Sequence, residues 1–232
     1  MLFKKTIFII SVILLTGVSV LWAGDTAVFV DLGFSPDGRT YMFGQYGVLS
    51  PSLRPWAEIF VVDVARNNFV QNGRASLYPG TKINAGQDGS GVFHQLVSNN
   101  SSLAARYGIN FQNQGLPLYI SRDENPPPRG ERITFRDFLA GSEYIAQLVP
   151  TVSGSGQNVR SSFYINLEAT SSNRQVKRYT IGTPITRPGI AQYNIKRVII
   201  DAGGGSIIFV IEMKKAAANG FDIRYMIEAV RL

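Results

Sequence analysis

The carboxylates Asp31, Asp37, Glu58, Asp63, Glu168, Glu212 and Glu228 all lie on or beside segments that read as strands. A fold that brought two of them ~5–10 Å apart could hydrolyse a glycosidic bond, one carboxyl as acid and the other as base or nucleophile. Asp37 reads as a turn residue. Glu168, Glu212 and Glu228 alternate with apolar neighbours and read as solvent-facing. Other chemistries have less to work with. His94 is the single histidine, so a histidine-rich metal site is impossible and any Ser-His-acid set must use that residue. No Gly-x-Ser-x-Gly elbow occurs, and His94 reads as a surface or half-buried structural residue. With no cysteine, thiol catalysis, disulfides and the usual zinc sites disappear together. Asp88, in the stretch Asn84-Ala85-Gly86-Gln87-Asp88-Gly89-Ser90, lacks the alternating acids of a calcium loop. It fits a helix-leading loop with a capping aspartate. Gly203-Gly204-Gly205-Ser206 precedes a strand and offers no helix N-terminus to a phosphate; it reads as a hairpin turn. Gly154-Ser155-Gly156 has no following helix either. No residue is assigned a catalytic, cofactor-binding or metal role.

The elements that must position these groups are mostly strands. Residues 26–49 break at Ser35-Pro36-Asp37-Gly38, where Pro presets φ and Gly relieves crowding, so a tight hairpin is expected. Ala57–Val64 forms a third strand with Phe60, Val62 and Val64 on one face. After Arg66-Asn67-Asn68 a fourth strand follows near Phe69–Gln71, completing a β-meander. One packed helix is expected at about 90–107, with Val92, Phe93, Leu96, Val97, Leu103, Ala104 and Tyr107 on one stripe. Asp88 or Ser90 caps its start and Gly108 its exit. Asn100 interrupts the stripe and needs a hydrogen-bond partner if buried. Residues 110–130 read as irregular, with Pro126-Pro127-Pro128 a stiff surface crossing within one domain. Strands resume at 144–149, 162–169, 175–181, 195–200, 207–213 and 221–230. Ile207–Ile211 is apolar on both faces and marks a strand covered on both sides. Phe34, Gly38, Phe43 and Val64 recur as Ile200, Gly204, Phe209 and Val230 at one constant displacement without gaps. This echo is either a duplicated blade-like unit or convergent hairpin grammar. A duplication places Phe43 and Phe209 in the same core layer.

The N-terminus carries Lys4 and Lys5, an apolar run from Ile7 to Leu21 and an Ala23-Gly24-Asp25 exit. That is the pattern of an export signal. The run is shorter than the ~20 residues of a spanning helix, and the absence of cysteine excludes a lipid-anchored form. Residues 1–23 are read as a signal peptide cleaved after Ala23, the alternative being an uncleaved anchor. Residues 24–232 are read as a single exported domain, periplasmic or secreted, touching the membrane only through the signal segment before cleavage. The formal charge of +7 includes the two lysines of that signal. Arg122, Arg129, Arg132 and Arg136 are interleaved with Asp123, Glu124, Glu131 and Asp137. The stretch reads as a solvated mixed-charge loop, since a nucleic-acid surface needs clustered, unopposed cations.

Phe34-Ser35-Pro36-Asp37-Gly38-Arg39, Phe43 and Ile59–Val64 resemble one blade of the TolB-like propeller repeat, over about 40 residues. A second clear Ser-Pro-Asp-Gly turn is missing. The chain as a whole resembles a family of predicted secreted bacterial proteins of unknown function. The resemblance rests on Phe29–Gly38 with Gly44-Gln45-Tyr46-Gly47. It rests also on Gly182-Thr183-Pro184, Arg187-Pro188-Gly189, Tyr193–Val198 and Ile223–Glu228. It implies export but no activity and no site residues. The expected fold is mainly β, antiparallel blade-like meanders in a propeller-like or sandwich-like arrangement with one packed helix; the open or sandwich-like form is favoured over a closed propeller. The expected function is a non-catalytic binding or scaffolding module of the bacterial cell envelope, its partner an envelope protein or glycan. The aromatic side chains are its main resource: Trp56, placed in a loop before the third strand, and the tyrosines. Trp56 either presents its ring to a ligand or folds back over the sheet. The alternative is a carboxylate-based hydrolase acting on an envelope glycan or peptide, and a deep pocket with two facing acids would favour it.

Overall fold

The computed structural model describes residues 24–121, 130–182, 185–217 and 220–232. The expected signal segment, the Pro126–Pro128 crossing, Arg122, Asp123, Glu124 and Arg129, and the pair Thr183-Pro184 lie outside the described residues. No helix among the described residues is long and apolar enough to cross a membrane.

The fold is mainly β, built from three antiparallel sheets. β1 (Val28–Phe34), β2 (Thr40–Leu49), β3 (Arg54–Asp63) and β4 (Asn68–Leu77) form the expected meander, strand neighbours in sequence being neighbours in the sheet. Helices α1 (Ser90–Asn99) and α2 (Ser101–Arg106) follow. β5 (Leu116–Ile120) crosses to a second sheet, where it pairs with β11 (Ile190–Ile200); β12 (Ser206–Ala217) and β13 (Gly220–Arg231) complete that sheet. The third sheet contains β6 (Arg132–Asp137), β7 (Ser142–Ser153), β8 (Arg160–Thr170), β9 (Val176–Ile181) and the short β10 (Arg187–Pro188).

Alternation decides how the sheets stack. Along β12, Ile207, Phe209 and Ile211 enter one core with Ile133, Phe135, Tyr144, Phe163 and Ile165 of the third sheet. The intervening Ile208 and Val210 enter another, with Phe34, Tyr41, Phe43, Phe60, Val62 and Val64 of the first. The β11–β13 sheet is therefore the middle of a three-sheet stack, and β12 is covered on both sides as its sequence predicts. The outer face of the first sheet, through Leu32, Met42, Ala57, Ile59 and Val61, meets Phe93, Leu96, Leu103 and Ala104 of the helices. Gly44 makes that approach possible, since a Cβ there would lie 2.4 Å from the Phe93 ring.

The expected single helix is broken in two at Asn100, whose side-chain amide donates to the Leu96 carbonyl at 2.8 Å. The polar interruption thus finds its partner by ending the first helix. Two strands depart from expectation. β5 falls in the stretch read as irregular, carrying Pro117 opposite Ile199, which only an edge strand tolerates. β6 falls in the stretch read as a charged loop: Ile133 and Phe135 point inward between exposed Arg132, Thr134 and Arg136. Glu131 and Asp137 are buried there. Glu131 Oε2 accepts the Ile195 N–H at 2.9 Å, and Asp137 Oδ1 accepts the N–H groups of Leu139 and Ala140.

The sequence echo corresponds to two hairpins with the same turn. Ser35 N–H donates to the Thr40 carbonyl at 3.0 Å and Gly38 N–H to Ser35 at 2.9 Å; Asp201 N–H donates to Ser206 at 3.0 Å and Gly204 N–H to Asp201 at 2.9 Å. Gly38 and Gly204 both take left-handed φ, 66° and 70°. The turns rest on one another, Ser206 Oγ donating to the Gly38 carbonyl at 2.7 Å. Phe43 and Phe209, however, occupy different core layers, contrary to expectation. Each faces the next sheet in the stack, and the next sheet is not the same one.

Candidate functional site

The sequence-selected groups fall into three neighbourhoods, and most of them serve the fold. His94 is exposed on α1 with its ring edge-on to Phe93. Asp88 Oδ1 accepts both the Ser90 N–H and the Ser90 hydroxyl just ahead of α1, which accounts for it as a local turn. No group of three or more His, Cys, Asp or Glu residues among the described residues could hold a metal.

Trp56 lies within β3, not in a loop, and is 1 % exposed. Its indole N–H donates to Asp25 Oδ2 at 3.0 Å, Arg224 Nη2 donates to the same oxygen at 2.6 Å, and the guanidinium sits 4.3 Å from the indole centroid. Tyr78 stacks on the same indole at 6.4 Å and donates to Glu58. Burial raises the Asp25 carboxyl above its usual range against the pull of Arg224 and Trp56. The cluster clamps the N-terminal segment onto the free edge of β13, where Ile223 N–H donates to the Asp25 carbonyl and Ala27 N–H to Ile223. Further along that edge, Gln45 Oε1 accepts the Tyr225 N–H and Asn67 Oδ1 the Ala229 N–H. Side chains of the first sheet thus occupy donors that an exposed edge would offer to another strand. The ring folds back; it is not presented to a ligand.

A second neighbourhood is the open cleft at the Gly38–Gly204 end, about 840 Å³ in volume. Its wall is the Ser35–Arg39 turn, the start of the β3–β4 connection at Asp63 and Ala65, the C-terminal end of α2 at Arg106–Gly108, and Arg231. Both of its carboxylates are engaged. Asp37 accepts from Ser35 Oγ at 2.6 Å and from Arg39 N–H at 3.1 Å, and these bonds hold its carboxyl below the usual range. Asp63 accepts the Arg66 N–H at 3.0 Å and pairs with its guanidinium at 3.7 Å. Arg231 braces the two turns by donating to the Asp37 carbonyl and Ser206 Oγ. Arg39 and Arg106 are exposed on the rim, Arg39 pairing with Asp37 Oδ2 at 3.6 Å.

The third neighbourhood corrects the expectation for Glu212 and Glu228, which are 7 % and 2 % exposed. Glu212 accepts from Asn194 Nδ2 at 3.0 Å and pairs with Lys196 at 3.5 Å. Glu228 lines a smaller cavity, about 160 Å³, with Asn67, Phe69, Ile185, Arg187 and Met226. Burial raises its carboxyl above the usual range, against Asn67 and Arg187. Glu168 is half-buried on the third sheet and paired with Arg178 at 2.9 Å. Asp31, on β1, is raised to about 6 by burial, which outweighs Tyr41, the Gly33 N–H and Arg197. Asp37 and Asp63, two of the sequence-selected acids, line one cavity. The alternation rule hid the burial of Glu212 and Glu228, because in a middle sheet both faces are interior.

The model of a family described as "Predicted secreted protein (DUF2259)" matches residues 42–231. No curated protein and no solved structure matches the chain.

Proposed function

The chain belongs to this family of predicted secreted proteins of unknown function, and on that footing we propose that it is a non-catalytic binding module of the bacterial cell envelope. Its binding face is the cleft rimmed by Arg39 and Arg106, and its partner is an envelope protein or glycan with anionic groups. One observation carries this reading: the two acids of the cleft are already bonded, Asp37 to Ser35 and Arg39 and Asp63 to Arg66, while the Arg39 and Arg106 side chains of its rim are exposed. A two-carboxylate hydrolase needs one acid kept protonated until it donates. Asp37 is held below the usual range instead, and an open cleft does not exclude water from a reacting bond.

Export completes the reading, with residues 1–23 removed as a signal after Ala23. The meander β1–β4 and its Ser35–Gly38 turn support a relation to the TolB-like blade, here stacked with further sheets.

Capture from envelope extract by the exported protein, compared with an Arg39→Ala/Arg106→Ala variant, tests the proposal. Rim charges act on association and on salt dependence, so the expected result is specific, salt-sensitive capture that drops at least several-fold in the variant. Capture of nothing above background, together with turnover of chromogenic glycosides or peptides, overturns it in favour of an enzyme.

A further inference from the structure

The 160 Å³ cavity is lined by the β3–β4 connection, β13 and β10, so all three sheets contribute to it. Asn67, in left-handed backbone conformation at φ 48°, fixes its carboxylate: the side-chain amide donates to Glu228 Oε2 while Oδ1 accepts the Ala229 N–H at 2.7 Å. The second oxygen, Oε1, lies 3.7 Å from Arg187 Nη2. The two form an ion pair longer than a hydrogen bond, and Arg187 Nη1 donates to the Ile185 carbonyl at 3.3 Å, so the pair leaves room for a hydroxyl to bridge Oε1 and Nη2. The rim is apolar and accessible, with Phe69 41 % and Ile185 58 % exposed. Arg74 holds the Phe69 ring from 4.5 Å.

We infer that this pocket binds one neutral sugar ring of a glycan. A hydroxyl both donates and accepts, so two neighbouring hydroxyls of a sugar satisfy Glu228 and Arg187 together. The C–H face of the ring suits the apolar rim of Phe69, Ile185 and Met226. A cavity of 160 Å³ holds about five waters at ~30 Å³ each, roughly the space of one hexose. A carboxylate ligand would be repelled by Glu228 and an ammonium by Arg187; the paired charges select a neutral polar group. The inference stands on this pocket alone and does not require the cleft to bind.

The exported protein is titrated with the methyl glycosides of glucose, galactose, mannose and N-acetylglucosamine, read by saturation-transfer NMR and by backbone amide shifts. At least one glycoside is expected to bind at millimolar concentration, with shifts centred on Asn67, Phe69 and Arg187. Glu228→Gln and Arg187→Ala are expected to weaken binding at least tenfold, while Arg39→Ala/Arg106→Ala binds as wild type. Ile185→Trp fills the pocket from an exposed position; it abolishes the response without changing the melting temperature, and so serves even if Glu228→Gln fails to fold. No transfer from any of the four glycosides, shifts centred elsewhere, or a response unaltered by Ile185→Trp overturns the inference.

Discussion

Replacing Asp31 by Asn should stabilise the protein at neutral pH and far less at pH 4. Asp31 sits between the first and middle sheets, its Oδ1 accepting the Gly33 N–H at 2.9 Å, and its carboxyl is raised from 3.8 to about 6. The folded state therefore binds the proton more tightly than the unfolded chain. For a group shifted upward in this way, stability is greatest below pH 3.8, falls as pH rises through the interval to 6, and stays reduced above it. At 1.36 kcal/mol for each pKa unit, the rise gives an upper bound of about 3 kcal/mol. Asp31 is only half-buried, and solvent screening brings the expected effect to about 1–2 kcal/mol. Asn keeps an acceptor for Gly33 and removes the ionisation. Urea denaturation of both proteins at pH 4 and pH 7.5 provides the measurement. Asp25 and Glu228, also raised, contribute equally to both proteins and cancel in the difference. The reasoning fails if the variant is less stable at pH 7.5, or if its advantage is the same at both pH values.

Phe43→Ala and Phe209→Ala should each cost ~3–5 kcal/mol as a large ring leaves a packed interior. Because the rings fill separate layers, denaturant melts of the double variant should show the two losses adding within ~0.5 kcal/mol. Gly44→Ala sets a Cβ 2.4 Å from the Phe93 ring and should cost ~1–3 kcal/mol through overpacking, with hydrogen exchange in α1 accelerating before that in β2.

The first meander was legible because its signals are local. Pro36 and Gly38 fix the turn, and Phe60, Val62 and Val64 announce a buried face that the structure places in one core. The same local reading failed where tertiary context decides. Pro117 argues against a strand until β5 is known to be an edge. In β6 the charges of Arg132 and Arg136 are conspicuous and the inward Ile133 and Phe135 are not. At the candidate sites the gap is wider. Trp56 was visible as a residue, but its partners Asp25 and Arg224 come from the two ends of the described chain. The pairing of Asn67 with Glu228 likewise spans the first and middle sheets. Neither has a spacing signature.

The echo shows why equivalent residues need not share an environment. Both hairpins close with the same hydrogen bonds and the same left-handed glycine, so the hairpin grammar repeats in full. Their next pairings already differ: Thr40 stands opposite Asp63, whereas Ser206 stands opposite Arg231, two positions beyond the counterpart. A two-residue slip preserves which face each side chain takes, so Phe43 and Phe209 keep corresponding orientations within their sheets. The first sheet turns that face to the middle sheet, and the middle sheet turns it to the third. Stacking in one direction leaves the last sheet of the row with a face that no further sheet covers. Among the described residues that face of the third sheet carries Arg132, Gln147, Asn166, Glu168 and Arg178 around the partly buried Ile145, groups that water can mostly satisfy. The row can therefore end after three sheets without closing into a ring.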